Sequence, residues 1–401
     1  MMIFGKYVLI VLVSLLLFSV ISFLGVPVYR FAQGQSFSGE HIYNPYAGTE
    51  PGHWRKANFH AHQSEKPQCD YSAAQMLDAY RTQGYDIMSI SDHQKLNLAQ
   101  DDRPGFIPTY EHGYGINRYH LLVMGARSVS WREFPIMLTQ SQMQYMIHWL
   151  KPQGDLIVLN HPGQTRLIDH EIYGWLRGYD LLELNPEMGR ERSDRRWDAA
   201  LSAGIYSNLI ADDDAHSITN RDSWFQRCFT RVNTPSLERK DICTALREGR
   251  AYGVYLPSEV NCRQNPHSDL PAMEEIALRD DTVTLRLDRP ASSIVFIGQN
   301  GTVLAEQKET LEARYTFRPN DTYVRAEARF GDGVILYFNP FVRTPDEAQP
   351  VNVFIPVINY PLTILSHLLW LGLTLALGIV LARLFGIRLR WLKPVRVPGL
   401  F

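Results

Sequence analysis

An α/β domain followed by a small all-β module, the pair flanked by two transmembrane helices, is the architecture these 401 residues predict. Three observations predict it. Between Asn58 and Gly253, short apolar runs alternate with amphipathic stretches, the pattern of a parallel α/β sheet or barrel. After about Tyr255 the texture changes to short alternating stretches such as "TVTLRLD" and "GVILYFNPFVR". Both ends of the chain carry long apolar runs.

The first run, Tyr7–Val28, holds no charge and matches the ~20 residues that a bilayer-spanning helix needs. A secretory signal has a shorter apolar region of ~7–15 residues and a small-residue cleavage site. This run ends in "FLGVPVYR" with no A-x-A, so residues 1–28 are expected to be an uncleaved anchor. A polar, irregular linker follows over 29–54. In the α/β region, 55–256, "SAAQMLDAYRTQGYD" has apolar residues at helical spacing, with Asp70 or Ser72 as N-cap and Gly84 near its end. It leads into "IMSIS", of strand length, ending in "DH". The theme repeats in "DLIVLNHPG", "DLLELNPEM" and "IYSNLIADDDAH". In such folds ligands gather at the carboxyl ends of the strands.

The all-β module is expected over 257–347, with "QNG" at Gln299–Gly301 as a tight turn between two short strands. Pro345–Asn352 reads as a second tether. Residues 360–385 form the second apolar span, and the tail 386–401 carries Arg388, Arg390, Lys393 and Arg396. Basic flanks stay on the cytoplasmic side. Two spans then place the middle of the chain across an inner membrane, in the periplasm if the cell is Gram-negative.

The formal net charge of −2 removes any polycationic bias toward nucleic acid, although one local pocket could still hold a nucleotide. Cys69, Cys228, Cys243 and Cys262 show no CxxC spacing, and thiols and disulfides both remain open. The 13 histidines say more. "NFHAH" offers His60 and His62, which alternation along a strand points to one face. "SISDH" offers Asp92 and His93, "IPTYEH" Glu111, "RYHLLVMGA" His120, "LIVLNHPG" His161, and "LIADDDAH" Asp214 and His216. Imidazoles mixed with carboxylates suit Zn²⁺, Mn²⁺ or Fe²⁺ better than an all-oxygen Ca²⁺ site. Any one of these pairs alone is more often a structural or surface feature.

Their order, HxH, DH, Glu, His, "HPG" and DxH, resembles that of the polymerase-and-histidinol-phosphatase (PHP) superfamily of metal-dependent phosphoesterases, over roughly Asn58 to Gly253. "ALREGRAYG" and the β module resemble its carbaryl-hydrolase-like branch. The resemblance implies a distorted β/α barrel and two divalent metals, Zn or Mn with Fe as an alternative. It implies that His60, His62, Glu111 and Asp214 hold one metal, and that Glu111 bridges to a second held by His120 and His161. Some relatives carry a further ligand just after HxH that completes a third metal site with the DH and DxH histidines. This chain reads "QSEKPQCD" there, so Glu65 or Asp70 would substitute, or His93 and His216 would contact substrate and protonate the leaving group.

Arg166, with Lys95 and Arg118 behind it, is the candidate cation for a substrate phosphate. Glu183 and Asn185 are candidates to orient ligands. His53, His112, His148, His170, His267 and His367 are expected to be ordinary. The function expected is a membrane-tethered metal-dependent phosphoesterase acting on a phosphorylated small molecule or nucleotide. An exonuclease-type phosphodiesterase on short oligonucleotides, a carboxyl-ester or carbamate hydrolase and a membrane-bound metal sensor are the alternatives. No protein partner is indicated.

Overall fold

The computed structural model describes residues 2–63, 71–98, 102–135, 139–165, 170–188, 192–218, 224–261, 267, 269–350 and 356–387. Arg166, Glu65, Asp70, Cys69, Cys262 and the basic tail lie outside them.

Helix α1 (Met2–Ile21) leads through strands β1 (Tyr29–Arg30) and β2 (His41–Tyr43) to β3 (Trp54–Asn58), α2 (Ala73–Thr82) and β4 (Ile87–Met88). Then come β5 (Thr109–His112), β6 (Leu121–Met124), α3 (Gln140–Leu150), β7 (Leu156–Leu159), β8 (Leu181–Glu183), α4 (Ser193–Ser202) and β9 (Asn208–Ile210). Next are β10 (Cys228–Asn233), α5 (Arg239–Glu248), β11 (Ala251–Tyr255) and α6 (Ser258–Asn261). The last third holds β12 (Met273–Arg279), β13 (Thr282–Gly298), β14 (Thr302–Thr316), β15 (Tyr323–Arg329), β16 (Ile335–Phe338), β17 (Phe341–Thr344), β18 (Val357–Ile358) and α7 (Tyr360–Leu384).

Ser72 caps α2. Its hydroxyl accepts from the Gln75 N–H while the Gln75 side chain returns to the Ser72 N–H, and Met76, Leu77 and Tyr80 form the buried face. The sheets are mixed rather than parallel. In the five-stranded sheet β5, β6 and β7 are antiparallel, while β7, β8 and β9 are parallel. The parallel β3–β4 pair belongs to an eleven-stranded sheet in which β3 also pairs antiparallel with β10. Isolated bridges, Ala61 to Ala215 and His93 to Glu111, join the two sheets. Between them lies an apolar core that includes Phe59, Leu122, Val158, Leu181 and Ile210, all fully buried. Each such side chain stabilises the fold by about 1.5–3 kcal/mol.

The eleven-stranded sheet runs unbroken past residue 256, because β11 pairs with β16 (Gly253 opposite Tyr337). The two strands expected to flank "QNG" as short pieces are instead 17 and 15 residues long. "TVTLRLD" and "SIVFIG" are one strand, carried across Pro290 by a register shift between Arg286 and Ala291. Asn300 (φ 60°) and Gly301 (φ 69°) make the turn.

Helices α1 and α7 are each long and apolar enough to cross a membrane. They lie side by side. Trp370 packs on Phe23 at 4.5 Å, Thr363 Oγ1 accepts from the Val28 N–H at 3.0 Å, and β1 pairs with β18. Cys228 and Cys243 are buried free thiols; burial pushes the Cys243 thiol up to about 12.

Candidate metal centre

Beyond its last ladder pair, β3 continues as Phe59, His60, Ala61 and His62. Phe59 turns into the core and its N–H donates to Asp212 (2.9 Å), while the His62 N–H donates to the Ala215 carbonyl (2.9 Å). Alternation then turns both imidazoles to the other side, where they are fully buried. Glu111, on β5, is buried beside them, and the bridge to His93 brings in the segment after β4. Gly113 (φ 132°) follows Glu111, and a Cβ there would stand 2.6 Å from the His120 ring. A glycine is required for that ring to lie where it does.

The ring and carboxylate atoms converge. His60 Nε2 and His62 Nε2 stand 3.1 and 3.0 Å from Asp214 Oδ1, and each is 3.3 Å from Glu111 Oε2. His60 Nε2, His62 Nε2 and Asp214 Oδ1 are buried, yet none makes a hydrogen bond. Buried polar atoms this close, without hydrogen-bond geometry, share an aim point instead of a bond. Ligands at about 2.0–2.2 Å from a tetrahedral ion stand about 3.3–3.6 Å apart. The two 3.3 Å separations match that spacing and those to Asp214 are a few tenths of an ångström shorter, so these residues fit a divalent metal with a small outward shift of Asp214. Glu111 faces two ways. Its Oε2 lies near His60, His62 and His93 (3.1 Å), while Oε1 lies 2.9 Å from both His120 Nδ1 and His161 Nε2. His62, His93 and His216 form a further group whose ligand atoms lie within 4.8 Å of one another.

Electrostatics tie the cluster together. Burial opposes charge on His60, but Asp214, Glu183 and Glu111 outweigh it and hold the imidazole well above its usual range. His62 is pushed up to about 9: burial again opposes, and the close Asp214 and Glu111 carboxylates prevail. Burial alone would raise Glu111 and Asp214, yet the neighbouring histidines hold both carboxyls well below their ordinary values. Positive charge is therefore favoured between these carboxylates.

Four residues around the site have left-handed backbone without being glycine: Gln94 (φ 49°), Arg118 (φ 52°), His161 (φ 20°) and Asp214 (φ 47°). Such strain persists only where surrounding bonds enforce it. At His161 the enforcing contact is a short hydrogen bond from its N–H to Glu183. In the aspartate run, the turn at Asp214 separates it from its neighbours. Asp212 accepts from the Phe59 N–H, and Asp213 accepts from Tyr80, Asn58 and the Gln226 N–H. Burial pushes Asp213 up to about 7.

Glu183 Oε1 stands 2.8 Å from His60 Nδ1. The Asn185 side-chain amide donates to the Asp212 carbonyl (3.4 Å). Asn160 had no place in the sequence reading, yet its amide donates to Glu111 Oε1 (3.0 Å). Its position inside "LNHPG" was the available signal. Arg118 donates to Gln164, and Lys95 lies 3.7 Å from Asp92. His112, next to Glu111, is lowered to about 4 by burial and by His120, and lies 3.8 Å from Glu133.

No protein-family model and no curated protein matches the chain. Among solved structures it is similar to a two-domain protein from Bacteroides vulgatus ATCC 8482 containing a predicted PHP-like metal-dependent phosphoesterase. The two are 15% identical, the match covers 77% of this chain and 99% of that one, and the TM-score is 0.37. The side chains, not this likeness, carry the chemistry that follows.

Proposed function

We propose that this chain is a membrane-tethered phosphoesterase of the PHP type that uses two divalent metals, Zn or Mn. The observation that carries the proposal is Glu111, whose two oxygens face two separate sets of imidazoles while Asp214 converges with His60 and His62 on one of them. His60, His62, Glu111 and Asp214 would hold one ion, and Glu111, His120 and His161 the other. Bound there, the pair would supply a nucleophilic water near neutral pH and positive charge for the phosphoryl oxygens.

The remaining work falls to the protein. Glu183 and Asn160 fix the orientation of His60 and Glu111. His216, half-exposed, lies with its ring 4.3 Å from that of His62, and the His93 ring lies 4.9 Å from the His62 ring. These two histidines would give a proton to the leaving oxygen. The His62, His93 and His216 group also favours a second reading of that pair, as ligands of a third metal. Arg166 would bind the substrate's phosphate.

Fold and location belong to the same proposal. Following ladders and bridges, the strands run β3, β4, β5, β6, β7, β8, β9 and back to β3 through Ala61 and Ala215. That order supports a distorted barrel with the metals at one mouth. Helices α1 and α7 would cross the inner membrane and leave residues 55–347 outside the cytoplasm.

The test is turnover by the full chain in detergent, loaded with Mn²⁺ or Zn²⁺, of an aryl phosphate and an aryl carboxyl ester. Phosphate turnover that disappears in Asp214→Asn is expected. Ester turnover without phosphate turnover would reassign the site to carboxyl-ester hydrolysis.

A further inference from the structure

Away from the two apolar helices, large exposed apolar side chains are few among the described residues, and four of them gather in one place. Tyr114 and Trp149 are 43% exposed, Ile116 64% and Trp131 69%. Tyr114 Oη donates to the Trp131 carbonyl (3.3 Å), the Ile116 N–H donates to the Pro135 carbonyl (3.0 Å), and Trp149 Nε1 donates to Ser130 Oγ (2.9 Å). They form one patch, not scattered surface residues.

The patch has two neighbours. One is the base of the helix pair. Arg132 donates to the carbonyls of Ser22 (3.1 Å) and Leu24 (3.0 Å), just past the end of α1, and Phe134 stacks on Phe23 at 5.8 Å. The other is the metal centre. Tyr114 and Ile116 sit in the loop between β5, which carries Glu111, and β6, which His120 immediately precedes; both are ligand candidates. Three residues of chain reach at most about 11 Å, so Tyr114 cannot stand farther than that from Glu111.

We propose that this patch seats in the surface of the bilayer crossed by α1 and α7, so that the metal centre opens at the lipid head groups and takes a phosphoester from an amphiphile in that leaflet. The inference names a substrate class for the site and rests on the phosphoesterase reading and on the membrane crossing. Continuity with the helix base selects the bilayer as occupant. The residue types agree: Trp and Tyr, apolar with one polar atom, are enriched at membrane–water interfaces. The polar heads of Trp149 and Tyr114 already have partners on the protein side, leaving their apolar bodies to face outward. The loop is short enough that seating it holds the metal centre within about 11 Å of the interface.

The experiment reconstitutes the full chain in phosphatidylcholine vesicles with brominated acyl chains. Emission quenched in the wild type is compared with that in Trp131→Phe, with Trp54→Phe as control. The emission lost in Trp131→Phe is expected to come from the quenched part, and that lost in the control from the unquenched part. In parallel, turnover of a vesicle-held lipid phosphoester is divided by turnover of a soluble aryl phosphate. In the Ile116→Ser/Trp131→Ser double variant this ratio is expected to fall about tenfold or more, given the apolar area removed. Trp131 emission untouched by brominated lipid, as on a surface left to water or to a protein partner, would overturn the proposal. So would an unchanged ratio. Quenched Trp131 with metal bound but neither phosphoester hydrolysed would support the seat while striking the phosphoesterase reading.

Discussion

Glu183 and His60 are both fully buried, and a carboxylate oxygen of the one stands 2.8 Å from Nδ1 of the other. The contact leaves His60 Nε2 aimed at Asp214 and Glu111. Glu183→Ala should therefore lower metal affinity by about 10–100-fold. Glu183→Gln, which keeps an acceptor at the same place, should recover most of it. Metal titration of both variants checks this, and equal loss in the two would mean that charge, not orientation, is what Glu183 provides.

His93 belongs both to the Glu111 group and to the group with His62 and His216. His93→Ala should retain two metals per chain while turnover falls by about 10²–10⁴-fold, the range for loss of a general acid. Elemental analysis alongside kinetics decides the point. Loss of one equivalent of metal would make His93 a ligand of a third ion.

Lys56 gives a pH dependence away from the metals. Burial, then the charge of Arg231, lowers its amine to about 6 against the pull of Asp213 and Asp86, and it lies 2.6 Å from His267 Nδ1. Unfolding between about pH 6 and the ordinary lysine value of 10.5 takes up a proton. Stability is therefore eroded as pH falls across that window, by about 1.4 kcal/mol per pH unit, and this contribution flattens below 6. Lys56→Met should be more stable than the wild type, with the gap widening from pH 10 to pH 6. Urea unfolding in detergent at several pH values measures it, and parallel curves would refute it.

Arg325 fastens α4 to the last third of the chain. It is buried, binds Asp198 through two 2.7 Å hydrogen bonds, and donates to Glu327 at 2.6 Å. Arg325→Ala would leave the buried Asp198 carboxylate without its cation, Glu327 keeping Arg329 at 2.6 Å, and should cost about 3–5 kcal/mol. The triple replacement of Arg325, Asp198 and Glu327 by apolar residues of similar volume should be much milder. Thermal unfolding compares them, and equal losses would show that packing rather than charge is at stake.

Much of the local structure was legible because it depends on neighbours in sequence. The Ser72–Gln75 cap, the turn at Asn300–Gly301 and the apolar runs over α1 and α7 follow from short-range rules. Strand lengths in the last third were misread, since a bulge carries one strand past Pro290 where sequence pattern suggests a break.

The sequence by itself determined that His60 and His62 face the same way: two-residue alternation turns them together whatever the sheet around them. Only the tertiary structure shows what turns Asp214, of three consecutive aspartates, to the site. Asp212 and Asp213 are held by the Phe59 N–H and by Tyr80, which come from far along the chain, and the left-handed turn at Asp214 frees its carboxylate. The same holds for Asn160 on Glu111, for the five-stranded sheet's mixed direction, and for the apolar patch beside the helix base. Periodicity is a local property of the chain, whereas partners for a buried polar atom are set by whatever long-range packing brings within 3 Å.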